Sequence, residues 1–162
     1  MTKLITSALA AMALAAGAGA GKQDAVVTVV VQRIRAISNF DKDILKKDRA
    51  DFYAKVSIGG YWQKSPVWYG QDDARPSWAA SETGMGKVVS IVIQVMDEDG
   101  AFEDKDDHAD INPTESVKDI QLWYNTETGR IWGDVVGRKG QSLTTRGSGK
   151  DSDKAEIWFM VN

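Results

Sequence analysis

The sequence predicts an all-β protein, an antiparallel eight- to nine-stranded β-sandwich that follows an N-terminal signal peptide. Segments rich in β-branched and aromatic residues recur at short spacing, and clusters of Gly, Asp, Asn and Ser separate them. No window of the sequence shows a sustained helical periodicity. This pattern is typical of β-sandwiches and barrels rather than of helical or mixed folds.

Nine segments are predicted to form strands, in the order 26–37, 51–58, 61–68, 77–80, 88–96, 118–124, 130–136, 142–145 and 155–161. Residues 51–58 alternate in polarity, so their even-numbered side chains are expected to face the core. Residues 88–96 are largely apolar, which indicates a central strand. No connection between these segments is long enough to divide the chain, so residues 21–162 are predicted to form a single domain.

Residues 1–20 have the features of a signal peptide. Lys3 provides a short basic start, an apolar run begins at Leu4, and the segment closes with Ala-Gly-Ala. The apolar part is shorter than the roughly 20 residues that a membrane-spanning helix needs. We therefore expect cleavage after Ala20 and export of the mature chain to a periplasmic or extracellular location.

The composition excludes several kinds of site. The 162 residues carry a formal net charge of −3, include no cysteine and contain one histidine, His108. Disulfides, thiolate metal sites and multi-histidine metal sites are therefore excluded within one chain, and the charge argues against nucleic-acid binding. No nucleophile–base motif is present, and His108 is expected to be an exposed, charged side chain. We expect a protein that is not an enzyme.

Acidic residues are concentrated in residues 97–110, which contain eight carboxylates and one lysine. Because like charges held close together repel, such a loop needs a counter-charge, raised pKa values or water. Calcium suits it, since this ion takes six to eight oxygen ligands in irregular geometry. Asp97 and Asp99 lie two residues apart at the end of a strand and so face the same side. A solvated acidic loop is the alternative interpretation.

Two segments resemble the calcium-binding loops of C2 domains. Residues 51–56 (DFYAKV) resemble the Asp-Pro-Tyr-Val-Lys-Val pattern that follows the first calcium loop. Asp51, Tyr53, Lys55 and Val56 match it, and Phe52 replaces the usual proline. Residues 91–110 are similar to the third calcium loop, with Asp97-x-Asp99 and then Asp110 before an isoleucine. The resemblance implies an eight-stranded antiparallel sandwich whose calcium loops lie at one end.

The resemblance also implies a set of calcium ligands. Asp51 together with Asp41 or Asp43 would face Asp97 and Asp99 across the site, and one of three later acids would close it. The candidate ligands are Asp41, Asp43, Asp51, Asp97, Asp99, Asp104, Asp106 and Asp110. The implied function is calcium-dependent binding to an anionic lipid surface or to a protein.

The tryptophan content suggests an alternative, a calcium-stabilised β-sandwich that binds carbohydrate. Six tryptophans are present, and Trp and Tyr offer apolar faces with a polar tip for sugar stacking. The first candidate platform combines Trp62, Trp68 and Tyr69 on one strand. The second combines Trp123, Tyr124 and Trp132 across a hairpin. Packing in the core is the competing role for each of these side chains.

Overall fold

Two antiparallel β-sheets pack against each other across a shared apolar core in the computed structural model. It describes residues 25–38, 40, 49–99, 106–150 and 153–162. The strands within these ranges are β1 (Ala25–Ala36), β2 (Phe52–Ile58), β3 (Tyr61–Lys64), β4 (Asp73–Ala74), β5 (Trp78–Met85), β6 (Val88–Asp97), β7 (Asp107–Ala109), β8 (Ile120–Asn125), β9 (Arg130–Gly133), β10 (Gly137–Arg138), β11 (Leu143–Arg146) and β12 (Ala155–Val161).

The strands are divided between a five-stranded and a seven-stranded sheet. The first sheet has the order β11-β12-β1-β4, with β5 also paired to β1. The second sheet has the order β10-β9-β8-β6-β2-β3, with β7 also paired to β6. The predicted all-β antiparallel sandwich is confirmed. The described part of the chain contains twelve strands rather than eight or nine, because β4, β7 and β10 are two or three residues long and show no alternation in the sequence.

Alternation along the central strands separates the core from the outer faces. In β6, the side chains of Ile91, Ile93 and Val95 are fully buried, whereas Val92 and Gln94 between them are partly exposed on the opposite side. Strand β6 is central because β2 pairs with one of its edges while β8 and β7 share the other. The interpretation of residues 88–96 as a central strand is therefore correct.

One side chain connects the edges of the two sheets. The amide nitrogen of Gln63, on β3, donates to the carbonyl of Ser81 on β5 at 2.9 Å. Its amide oxygen accepts from the N–H of Ser81 at 3.3 Å. Ser81 pairs with Thr28 on its other side, and the backbone of Thr28 is bonded to Asn162. The side-chain amide of Gln63 therefore bonds the backbone groups of Ser81 that a further strand would otherwise pair with at the edge of β5.

No membrane-spanning helix occurs in the part of the chain that the structure describes. Residues 1–20, predicted as a signal peptide, lie outside the described residues. The same is true of three candidate calcium ligands, Asp41, Asp43 and Asp104.

Candidate metal centre

The two segments that resemble calcium loops meet at one end of the second sheet. Phe52, at the start of β2, pairs with Asp97 at the end of β6. Asp97 also pairs with Asp107, at the start of β7. Strand pairing alone therefore places residues 49–51, 98–99 and 106 next to one another, as the resemblance implies.

A hydrogen bond joins the two loops directly. Asp97 is 3% exposed, and its Oδ1 accepts the backbone N–H of Asp51 at 2.5 Å. The Oδ1 of Asp51 in turn accepts the N–H of Gly70 at 2.5 Å. The Oδ2 of Asp51 accepts no hydrogen bond from another described residue, and this oxygen is a potential cation ligand.

Two neighbouring acids, Asp72 directly before β4 and Asp73 at its start, have different roles. The Oδ1 of Asp72 accepts the N–H of Ala50 at 3.1 Å, so this carboxylate lies beside the first loop. Asp73 instead forms two hydrogen bonds of 2.6 Å with the guanidinium of Arg33, which hold the pKa of that carboxyl below its usual value. Asp72 therefore belongs to the acidic end, whereas Asp73 is an ion-pair partner within the first sheet.

Asp106 is held by a tyrosine of the neighbouring strand. The hydroxyl of Tyr53 donates a short hydrogen bond to Oδ2 of Asp106. Burial raises the pKa of Tyr53, and the hydrogen bond to Asp106 and the negative charges of Asp106 and Glu98 raise it further. Tyr53 therefore stays a proton donor and fixes the position of Asp106. Sequence reasoning missed this role, although Tyr53 is one of the residues that match the C2 pattern.

The carboxylate of Asp110 connects two loops. This side chain is 2% exposed. Its Oδ1 accepts the N–H of Asn112 at 3.0 Å, and its Oδ2 accepts the N–H of Gly149 at 2.8 Å. The backbone of Asp110 also pairs with residues 153–155. The structure therefore gives Asp110 a structural role, and its predicted role as a calcium ligand is untested.

His108 is partly buried, contrary to the expectation that it would be exposed. Its Nε2 lies 2.6 Å from Oδ1 of Asp119, and 29% of its side chain is accessible. Gln94 donates to the other oxygen of Asp119 at 2.8 Å. Burial would raise the pKa of Asp119, but the contacts with His108 and Gln94 outweigh it and lower that pKa. The sequence around His108 is acidic, but its partner Asp119 lies eleven residues further along the chain, directly before β8.

The donor chemistry of this end fits a hard cation, because the candidate ligands are all carboxylates. Asp51, Asp97, Asp99 and Asp106 are the predicted ligands that lie there among the described residues. Within those residues, no three acidic or histidine side chains are arranged to hold a metal ion.

Comparison with known proteins identifies the fold. No protein-family model matches the sequence, and a search of curated proteins finds no match. The structure is similar to a C2 domain of plant Extended Synaptotagmin 1, with a TM-score of 0.54 and 11% identity over 87% of this chain and 95% of that one. It is also similar to the calcium-bound pair of C2 domains of Extended-Synaptotagmin 2, with a TM-score of 0.53 and 13% identity over 86% and 45% of the two chains.

A third similar structure is that of a larger protein. Human GIVD cytosolic phospholipase A2 matches with a TM-score of 0.53 and 16% identity over 86% of this chain. The matched region is 16% of the phospholipase chain. At these identities the similarity shows the fold alone. The chain has a C2-like fold, as the two loop segments indicate.

Proposed function

We propose that this protein is an exported calcium-binding module that binds an anionic lipid or protein surface and has no enzymatic activity. The observation that carries the proposal is the hydrogen bond between Asp97 and Asp51, since it brings the acids of two loops together. Asp99 follows Asp97 by two residues, and Asp106 returns to the same end directly before β7.

Calcium would act at this end by neutralising repulsion. Two unit charges 4 Å apart interact by about 4 kcal/mol at an effective dielectric of 20. A divalent cation bound by Asp51, Asp97, Asp99 and Asp106 would convert this repulsion into attraction. Asp41 or Asp43 and Asp104, from the remainder of the two loops, would supply further oxygens. Because calcium accepts up to eight ligands, positions would remain for phosphate or carboxylate oxygens of a partner.

The proposal is tested by thermal unfolding of the protein in chelator, in millimolar calcium and in millimolar magnesium. A ligand at about 100 times its dissociation constant stabilises the native state by about 2.7 kcal/mol, which is several degrees for a chain of this size. We expect this increase with calcium and little change with magnesium. The absence of an increase up to about 10 mM calcium, beyond the range of weak extracellular modules, would contradict the proposal.

A matched pair of double variants locates the site. Asp97→Asn with Asp99→Asn is expected to abolish the calcium-dependent shift. Glu115→Gln with Glu127→Gln removes the same charge from exposed positions outside the candidate centre, and its shift should equal that of the wild type. Equal shifts in both double variants would show that calcium binds elsewhere.

Sedimentation with vesicles separates lipid binding from metal binding. Calcium-dependent sedimentation with vesicles containing an anionic phospholipid, and none with neutral vesicles, is expected. If calcium stabilises the protein but anionic vesicles do not sediment it, the partner is not a lipid surface, and a protein partner becomes the remaining form of the proposal.

Export is tested independently of binding. When the full chain is produced in a bacterial host with an export pathway, the soluble exported fraction should contain protein that begins at Gly21. Edman sequencing of that fraction gives the result directly. Retention in the cytoplasm with an intact N-terminus would contradict the signal-peptide prediction without affecting the calcium proposal.

A further inference from the structure

The outer face of the second sheet, on the side away from the core, carries three tryptophans. Trp123 on β8 pairs with Trp132 on β9, and its partner on β6 is Ser90. Trp62 on β3 pairs with Ser57 on β2. Because directly paired residues point to the same side of a sheet, these side chains share one surface. We call Trp62, Trp123, Trp132 and the residues between them the aromatic face.

Two of these indoles are unusually accessible. Trp62 is 53% exposed and Trp123 is 42% exposed. By contrast, Tyr124 is 2% exposed and belongs to the core, and Trp68 packs against the core from the connection after β3. Both platforms suggested by the sequence are therefore wrong in composition. The structure instead groups one tryptophan from the first platform with two from the second.

The aromatic face is wide and has few bulky side chains between its ends. Trp62 and Trp123 are separated by β2 and β6, which is three strand spacings or roughly 14 Å. The outward side chains between them are Ser57, Val92, Ser90 and Gln121. Contact with both indoles at once therefore requires an extended ligand rather than a single small ring.

A cationic pocket adjoins Trp62. It has a volume of about 360 Å³ and is lined by Lys55, Trp62, Gln63, Lys64 and Gln94. The Nζ of Lys64 lies 3.8 Å from the ring centroid of Tyr53, and that of Lys55 lies 5.5 Å from it. Neither lysine has an ion-pair partner among the described residues. The pocket thus holds two positive charges, and no carboxylate is among the residues that line it.

We infer that the aromatic face binds an extended polysaccharide whose sugar units carry carboxylates. Indole faces stack on the apolar faces of sugar rings, and the ammonium groups of Lys55 and Lys64 form charge-assisted hydrogen bonds with a carboxylate. A phosphate headgroup would fill the pocket but would leave Trp123 and Trp132 uncovered. This site lies on the outer face of the sheet and does not depend on the calcium site of the proposed function.

Affinity electrophoresis in native gels tests the inference with the full protein and excess chelator, so that calcium binding plays no part. Gels contain polygalacturonate, neutral hydroxyethyl cellulose or no polysaccharide. We expect polygalacturonate to retard the wild type. The affinity for this polymer should fall about tenfold in Trp62→Ala and in Trp123→Ala, because each variant loses one stacking contact. Tyr69→Ala removes an aromatic side chain that is 65% exposed and lies beside Glu98 at the acidic end of the sheet, and this variant should bind as the wild type does.

The charge contribution has its own variant pair. Lys55→Gln with Lys64→Gln should remove the preference for polygalacturonate over the neutral polymer. Lys139→Gln, an exposed lysine in the connection after β10, should leave that preference unchanged. Melting curves confirm that each variant folds, and a variant that does not fold is replaced by Trp62→Leu or Trp123→Leu.

Three results would overturn the inference. The first is no retardation of the wild type by polygalacturonate, and the second is equal retardation by the neutral polymer. The third is sedimentation with anionic vesicles in chelator, lost in the double lysine variant, without any binding to polysaccharide. That result would assign the pocket to lipid phosphates. The first two results leave the calcium proposal untouched, because calcium is absent from every arm. The third would also show that the protein binds lipid without calcium, and the thermal shift with calcium would then test the metal site separately.

Discussion

At the residue scale, buried carboxylates of this protein stabilise its loops by accepting backbone hydrogen bonds. Asp110 is 2% exposed, and its two oxygens accept bonds from Asn112 and Gly149. A buried carboxylate is costly unless donors replace the water that it loses. The two N–H groups supply this replacement, and in return the carboxylate determines where residues 147–149 lie.

Replacing this carboxylate by an amide tests that role. Asp110→Asn retains the shape of the side chain but turns an N–H donor toward the N–H of Asn112 or of Gly149. We expect a loss of roughly 2–3 kcal/mol in the free energy of unfolding, as for a hydrogen bond to a buried charged group. Urea denaturation measures it. Asp107→Asn at an exposed position is the control, with an expected change within about 0.5 kcal/mol.

Tyr53 gives the protein a sensitivity to alkaline pH. Burial raises the pKa of Tyr53 and that of Tyr124, whereas an unfolded tyrosine titrates near pH 10. Above about pH 10 the unfolded chain therefore binds fewer protons than the native chain. The contribution of these two tyrosines to the free energy of unfolding is fully present below that pH and is lost as the pH rises.

The change Tyr53→Phe removes one of these two groups. At pH 8 it should cost about 1 kcal/mol through loss of the hydrogen bond to Asp106. Between about pH 10 and 11 its stability should fall less steeply than that of the wild type. Denaturant midpoints across this range measure both effects, with Tyr61→Phe, an exposed tyrosine, as the control. Parallel curves for wild type and Tyr53→Phe would contradict this explanation.

At the element scale, the connection between β11 and β12 passes very close to Asp110. A Cβ atom added to Gly147 would lie 2.2 Å from the carbonyl oxygen of Asp110. The clash is with a backbone atom, which cannot move aside as the end of a flexible side chain can. The connection must therefore shift away from Asp110, and the hydrogen bonds between them must break.

We therefore expect Gly147→Ala to destabilise the protein by about 1–3 kcal/mol, the typical cost of overpacking in a filled site. Gly86→Ala is the matched control, since an added Cβ meets no atom within 4 Å there. The midpoints of urea unfolding compare the two. In the double variant with Asp110→Asn, the losses should be less than additive, because both changes disrupt the same contacts.

The longer strands were predictable because their signal is local. The alternation of polarity in residues 51–58 and the apolar run of residues 88–96 indicate which side chains are buried, and both patterns are visible within the strand itself. Strand β7 has no such signal, since it lies within the acidic run and forms by pairing with β6. The formation of β7 depends on pairing with β6, and residues 107–109 contain no pattern that predicts this pairing.

At the scale of the whole molecule, the candidate calcium end was predictable only through the resemblance to C2 loops. That resemblance brings Asp51 toward Asp97, and the hydrogen bond between them agrees with it. The role of Asp110 depends on Gly149, 39 residues away. The grouping of Trp62 with Trp123 depends on the order of four strands, which short-range patterns do not encode.

Because both sheets contribute to the same core cluster, unfolding should be cooperative. Urea transitions followed by tryptophan fluorescence and by far-ultraviolet circular dichroism are expected to coincide, as for a two-state domain. Non-coincident curves would show that one sheet unfolds before the other. Saturating calcium should raise the midpoint and leave the slope unchanged, since ligation alters stability and not the surface exposed on unfolding.

The amide of Gln63 has a further consequence for the molecule as a whole. An open edge strand is a template for intermolecular pairing, and many proteins guard it with a charge or a proline on the strand itself. Here the group that occupies the edge at Ser81 is the side-chain amide of Gln63, which belongs to the opposite sheet. Any fluctuation that separates the two sheets at this corner therefore also uncovers an aggregation-competent edge, so that resistance to polymerisation depends on the cohesion of the sandwich.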